Sequence, residues 1–237
     1  GSKKNHHKQF CEKDIFGSEI MPFGVHLTAA NLASIDPGVT INKAQILQGD
    51  SLRLARGKKY ASGTRMGTLF PSSDGSYFTA GTASTMSGDK YDIPEIPPLD
   101  TVLMNPPFTK MERGIQKFID LGKFSKLCGN EVGLWGHFLG LSDDLLKDGG
   151  MMGAVIPINI MRGRESAPIR KFILENWTIL YIVKATINYA FSENSEYRDV
   201  LFIAKKKKPS KPYKIKVALI KKDLRDVTSA DTSFYAD

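Results

Sequence analysis

Cysteine is scarce in this chain: Cys11 and Cys128 are the only two among 237 residues. No Cys-x-x-Cys spacing exists, so neither a disulfide framework nor a cysteine zinc site is expected. Histidine is nearly as rare, with four in all. His6-His7 fall in a polar start and read as part of a solvated tail. His26 and His137 stand alone within helical patterns and read as packing or surface residues. No metal is implied. No apolar run approaches the roughly 18 residues of a membrane-spanning helix, so no membrane partner is expected. The start, Gly1-Ser2-Lys3-Lys4-Asn5-His6-His7-Lys8, lacks the apolar stretch of a secretory signal. A reducing, cytoplasmic setting is the natural expectation. The chain opens on Gly1-Ser2 rather than Met, which reads as an excised or processed piece of a longer protein.

Positive charge is plentiful. Lys and Arg number 33 against 25 Asp and Glu, a formal net charge of +8. Much of it is concentrated late: Lys205 to Lys208 form a run, followed by Lys211, Lys214, Lys216, Lys221, Lys222 and Arg225. Such a balance favours a polyanionic partner such as nucleic acid. The alternative is a lysine-blunted edge strand leading into a solvated tail.

Hydrophobic periodicity and turn residues divide the chain into alternating elements. Residues 14–20 read as a strand, and Pro22 opens a helix that runs to Ile35. Ala44 to Gln48 is a second strand. Residues 53–98 are rich in Gly, Ser, Thr and Pro and read as a long excursion. Asp100 to Met104 is an apolar, buried strand. Helices follow over Glu112–Lys126 and Val132–Lys147, the second closed by Gly149-Gly150. Further strands fall at Met151–Ile156, Trp177–Ala185, Asp199–Lys205 and Tyr213–Ile220, with a helix at Ala167–Glu175. The alternation predicts an α/β fold, a mostly parallel sheet with an antiparallel hairpin at its edge. Residues 1–13 read as a tail, 14–220 as one core interrupted by the 53–98 insertion, and 221–237 as a tail or linker.

Asn105-Pro106-Pro107-Phe108 carries the most chemistry. It sits at the carboxyl end of a strand, where open α/β sheets place their ligands. The prolines stiffen the turn and leave carbonyls without neighbouring N–H groups. Asn105 adds an amide oxygen as an acceptor. Together these groups can grip an exocyclic amino group, and Phe108 offers a face for stacking a base. The tetrapeptide resembles motif IV of the S-adenosylmethionine-dependent amino-methyltransferases, above all the N6-adenine DNA methyltransferases of restriction–modification systems.

Flanking segments are similar to the same family. Gly17-Ser18-Glu19-Ile20-Met21-Pro22, with Leu27-Thr28-Ala29-Ala30-Asn31-Leu32 after it, looks like motif II. The resemblance implies that Glu19 binds the cofactor's ribose and that Ile20 and Met21 flank its adenine. Gly49-Asp50-Ser51-Leu52 resembles motif III, which implies that Asp50, with Ser51 beside it, meets the adenine amino group. A turn Asp that satisfies nearby backbone N–H groups is the structural alternative. Gly149 to Pro157 resembles the motif VI strand. Asn188-Tyr189-Ala190-Phe191-Ser192 resembles motif VIII, so Tyr189 or, by preference, Phe191 is expected to touch the target base.

The glycine-rich turn that holds the methionine part of the cofactor in this family has no counterpart in residues 1–13. The resemblance therefore spans about residues 14–207 and implies a Rossmann-like catalytic domain that begins after motif I. Such a piece, isolated, is expected to bind S-adenosylmethionine weakly and to be inactive. The expected activity of the parent is methyl transfer from S-adenosylmethionine to a flipped adenine in DNA, without a metal. Expected partners are DNA, with RNA an alternative substrate, and the remaining parts of the parent, including a target-recognition domain or subunit. A nucleic-acid-binding module without cofactor binding is the reading from a different class.

Overall fold

The computed structural model describes residues 3–42, 44–57, 95–108, 122–129, 132–185 and 198–220. Tyr189, Phe191, most of the 53–98 excursion, the first part of the helix expected from Glu112, and the tail from Lys221 onward lie outside the described residues. The described residues fall into two compact units, one ending at Pro97 and one beginning at Pro98.

The first unit begins with α1 (Lys3–Gln9) and a π-helical turn over Phe10–Asp14, which buries Cys11. The strand expected over residues 14–20 is therefore shorter: β1 spans Gly17–Glu19. Helix α2 (Pro22–Ser34) starts with proline in its first turn, where the missing N–H costs nothing. Strand β2 (Ile46–Gln48) pairs in parallel with β1, placing Glu19 opposite Gln48. Gly17 leaves room for the Ile46 side chain, because a Cβ there would lie 2.6 Å from Ile46 Cδ1. Val25, Ile46, Leu47, Leu52 and Leu54 form the buried core of this unit.

The second unit is built on a five-stranded sheet in the order β3-β4-β6-β5-β7. Its strands are β3 (Leu99–Met104), β4 (Leu146–Pro157), β5 (Thr178–Ala185), β6 (Asp199–Lys205) and β7 (Lys216–Ile220). The helices are α3 (Ser125–Cys128), α4 (Leu134–Leu145), α5 (Asn159–Arg162) and α6 (Ala167–Asn176). The α/β class and the mixed sheet agree with expectation, but the antiparallel strand is not at an edge. β6 lies between β4 and β5, antiparallel to both, while β7 pairs in parallel with β5. Its alternation buries one face, with Val200, Phe202 and Ala204 fully buried, and its backbone pairs with both neighbours.

Two other expectations change. Gly149-Gly150 does not close a helix. α4 stops at Leu145 and β4 begins at once, and the glycines lie inside that strand. The register against β3 shifts there, from Leu99↔Leu146 to Thr101↔Met151. Gly149 takes φ of 81° and donates its N–H to the Lys206 carbonyl at 2.7 Å, a backbone state that strains any residue with a Cβ. β3 is also less buried than its apolar sequence suggests. Among the described residues it bonds only to β4, and Leu103 is 80% exposed.

Candidate active site

The end of β1 and the end of β2 lie side by side, because the strands are parallel and in register. Glu19 is the last residue of β1, and Asp50 follows β2 by two residues. A backbone bond closes the pair of ends: Gly49 N–H donates to the Glu19 carbonyl at 3.0 Å. Ser51 Oγ donates to Ser18 Oγ at 2.9 Å, a second tie across the same edge. Glu19, Asp50 and Ser51 are thus brought to one edge of the β1–β2 pair.

The two carboxylates differ in character. Glu19 is half-buried, and its Oε1 accepts the Met21 N–H at 2.9 Å. That bond fixes the side chain over the turn and leaves its second oxygen without a hydrogen-bond partner among the described residues. Gly24 lies beneath it, and a Cβ there would stand 2.7 Å from Glu19 Cγ. Ile20 and Met21 beside it are exposed, at 39% and 53%. An acceptor flanked by uncovered apolar side chains and floored by a glycine suits the diol of a ribose with a flat base next to it.

Asp50 is buried. Its Oδ1 accepts the Leu52 N–H at 3.0 Å, capping the short 3-10 turn Ser51–Arg53, and its Oδ2 lies 3.4 Å from Arg53 Nε. The Asx-turn role weighed from sequence is therefore present in the structure. A further donor from an adenine amino group would join an oxygen already facing a guanidinium.

In the second unit, Asn105-Pro106-Pro107-Phe108 follows the carboxyl end of β3 without regular secondary structure. Asn105 and Pro107 are exposed, Pro106 is buried and Phe108 is half-buried. The backbone here is crowded by the start of α4: a Cβ on Gly133 would lie 3.0 Å from the Phe108 carbonyl oxygen. Helix α4 is also tied to β3 lower down, where Ser142 Oγ contacts Met104 Sδ at 3.4 Å. The tetrapeptide thus leaves the strand with its Phe108 carbonyl close to the start of α4 and its asparagine exposed. Tyr189 and Phe191 lie outside the described residues.

The lysine run is placed differently from expectation. β6 runs against β4, with Asp199 opposite Pro157 and Lys205 opposite Met151. Lys205 to Lys208 therefore lie at the sheet end remote from Asn105. Lys206 is also engaged: its Nζ donates to the carbonyls of Asp143 and Leu146, the latter at 3.1 Å, and lies 3.7 Å from Asp143 Oδ1. It caps the carboxyl end of α4, where a cation offsets the helix dipole. Trp177 Nε1 donates to the same Asp143 carboxylate at 2.9 Å. Sequence reasoning missed this role. The signal was the alternation through Val200, Phe202 and Ala204, which carries Lys206 onto the buried face.

No helix among the described residues is long and apolar enough to cross a membrane. No group of three or more metal-ligating side chains occurs among them either.

Several solved structures share this fold. A nuclease-deletion mutant of LlaGI, a type ISP restriction–modification enzyme in complex with a DNA substrate mimic, matches 90% of this chain and 21% of its own, with a TM-score of 0.57 at 12% identity. A protein assigned as a modification subunit of a type I restriction enzyme from Vibrio vulnificus YJ016 matches 88% of this chain and 36% of its own, with a TM-score of 0.53 at 19% identity. The EcoKI M protein, from a type I restriction enzyme, matches 89% of this chain and 36% of its own, with a TM-score of 0.51 at 15% identity. This chain thus spans about a fifth to a third of the length of those proteins. At these identities the likeness concerns the fold, that of the α/β methyltransferases. Residues 13–191 match the family of Eco57I restriction-modification methylases, and the chain belongs to that family.

Proposed function

We propose that this chain carries the catalytic residues of a DNA adenine-N6 methyltransferase, which moves a methyl group from S-adenosylmethionine to the amino group of a flipped adenine. The observation that carries the proposal is Asn105-Pro106-Pro107-Phe108 at the carboxyl end of β3, with Asn105 exposed and the Phe108 carbonyl beside the start of α4. An adenine amino group is occupied by pairing in a duplex, so the base must leave the stack to reach such a turn. The Asn105 amide oxygen and the Pro106 carbonyl accept the two hydrogens of that amino group. Accepting both draws the nitrogen toward a pyramidal shape and turns its lone pair away from the ring. Phe108 stacks on the base and limits its rotation.

The cofactor is assigned to the first unit. Glu19 accepts from the ribose hydroxyls through the oxygen not bonded to Met21, and Ile20 and Met21 pack against the adenine ring. Asp50 and Ser51 border the same edge and accept or orient the adenine amino group. The glycine floor at Gly24 and the exposed apolar neighbours of Glu19 support this fit. S-adenosylmethionine, when bound, supplies an activated methyl group. The protein's contribution is positioning and electrostatics at each group it binds. Tyr189 or Phe191 adds a second aromatic contact to the base. In the full protein, a target-recognition domain or subunit selects the sequence that is methylated.

The test is incubation of the full protein with S-adenosylmethionine labelled in its methyl group and with unmethylated duplex DNA, followed by nucleoside chromatography. Label in N6-methyldeoxyadenosine is expected. Label that enters only RNA would transfer the assignment to an RNA base methylase, and no transfer to either would favour a binding module.

A further inference from the structure

Three arginines, Arg162, Arg164 and Arg198, are exposed in the segments that leave β4 and enter β6, at the end of the sheet toward which β3 runs into Asn105. Arg162 ends α5, Arg164 follows in the next turn, and Arg198 immediately precedes β6. The register fixes their level. Met104 pairs with Ala154, and β4 continues three residues to Pro157, which pairs with Asp199. The exit from β4 and the entry to β6 therefore lie roughly 10 Å beyond Met104 along the strand direction. They sit on the neighbouring strands at the same end of the sheet.

The segment bearing these arginines is held in shape. Ile158 N–H donates to the Arg198 carbonyl at 2.9 Å and joins the two segments. Gly163 N–H donates to the Asn159 carbonyl at 2.7 Å. Arg170 Nη1 donates to the carbonyls of Ile160 and Gly163, each at 3.1 Å. Glu165, the carboxylate in the turn, accepts from Asn159 Nδ2 at 3.3 Å rather than from an arginine. No ion pair among the described residues involves Arg162, Arg164 or Arg198. Three guanidinium groups without an ion pair among the described residues, on segments tied by these backbone bonds, offer donors to an anion.

We propose that Arg162, Arg164 and Arg198 contact the phosphates of the DNA strand carrying the target adenine, seating it beside Asn105. The inference rests on the proposed function and names the surface that positions its substrate. Guanidinium groups match phosphate geometry with paired donors, which a lysine ammonium does not. Phosphate contacts fix register and orientation without reading sequence, which is what a catalytic edge needs when another domain chooses the site. The lysine run does not serve this purpose. Lys205 pairs with Met151, three residues before the Ala154 that faces Met104, so the run lies roughly 10 Å behind Met104, on the side away from Asn105, and Lys206 is engaged at the end of α4.

The experiment is a salt series of anisotropy titrations, using the 237-residue chain and a short labelled DNA duplex. The variants are Arg162→Gln/Arg164→Gln/Arg198→Gln and Lys205→Gln/Lys207→Gln/Lys208→Gln. The arginine variant should lower the slope of log affinity against log salt by about 0.9 for each phosphate that is no longer neutralised. The lysine variant should leave the slope unchanged, and Arg→Lys replacements at the three positions should restore most of it. A wild-type slope in the arginine variant overturns this inference, as does a slope that falls only in the lysine variant. In both cases methyl transfer to DNA by the full protein would leave the proposed function standing. Binding of an RNA hairpin but not of DNA would overturn both. If the triple variant does not fold, Arg164→Gln and Arg198→Gln alone should each reduce the slope, and two unchanged slopes contradict the assignment.

Discussion

Lys206 Nζ donates to the Leu146 carbonyl at 3.1 Å, so one member of a four-lysine run is a helix cap. The same ammonium meets the Asp143 carbonyl and carboxylate, and Trp177 holds that carboxylate from the other side. The end of α4, the end of β6 and the residue after α6 are thereby fastened together through one buried network.

Lys206→Gln should therefore destabilise the fold, whereas Lys207→Gln and Lys208→Gln should not. Hydrogen bonds to charged groups contribute about 1.5–3 kcal/mol each, and the Lys206 side chain is only 17% exposed. Urea unfolding followed by tryptophan fluorescence gives the comparison. Equal midpoints for Lys206→Gln and Lys207→Gln would show that the network contributes nothing to stability.

Gly24→Ala addresses the cofactor edge. The new methyl group would lie 2.7 Å from Glu19 Cγ, a distance that forces the flexible carboxylate to move. Stability should change little, and affinity for S-adenosylmethionine should fall by roughly tenfold, about 1.4 kcal/mol. Calorimetry on the full protein checks this, with Glu19→Gln as the reference. Unchanged affinity in both variants would remove Glu19 from the ribose site.

His137 supplies a pH dependence. It is fully buried on α4, and neither ring nitrogen has a hydrogen-bond partner among the described residues. Burial disfavours the charged imidazolium and lowers its pKa from 6.5. The unfolded chain then binds more protons than the folded one below pH 6.5, so stability declines as pH falls through that value toward the lowered folded one. The loss is at most about 1.4 kcal/mol per pH unit. His137→Leu should flatten this part of the profile and raise stability in mild acid, because it removes two unsatisfied nitrogens. Denaturant midpoints on either side of the histidine range decide the matter. A variant that retains the wild-type slope would assign the acid sensitivity to other groups.

Much of the fold was legible where periodicity and turn chemistry agreed. Pro22 marked the start of α2 and β6 matched its expected bounds, because each rests on a strong local signal. The place of β6 inside the sheet was not legible, since strand order depends on long-range pairing that a local pattern does not encode. Gly149-Gly150 misled because two glycines mark a helix end and a strand bulge equally well. Glu19 and Asp50 were identifiable as strand-end carboxylates, and the parallel β1–β2 pairing brings them to one edge. The arginines of the β4 exit were not legible as a group, because Arg162, Arg164 and Arg198 are dispersed in sequence, whereas the lysine run is contiguous. Register puts Arg198 and Lys205 at opposite ends of β6, which density of charge in the sequence does not show.

The most direct test of the account is the single-turnover rate of methyl transfer to adenine by the full protein carrying Asn105→Ala. This substitution removes the acceptor proposed for the amino group and alters no residue of β1 or β2. The rate should fall by about 2–4 kcal/mol of transition-state stabilisation while S-adenosylmethionine affinity stays at the wild-type value. Phe108→Ala should in addition weaken retention of the flipped base by about 1–3 kcal/mol. An Asn105→Ala protein that methylates adenine at the wild-type rate would contradict the assignment of this turn as the site of chemistry.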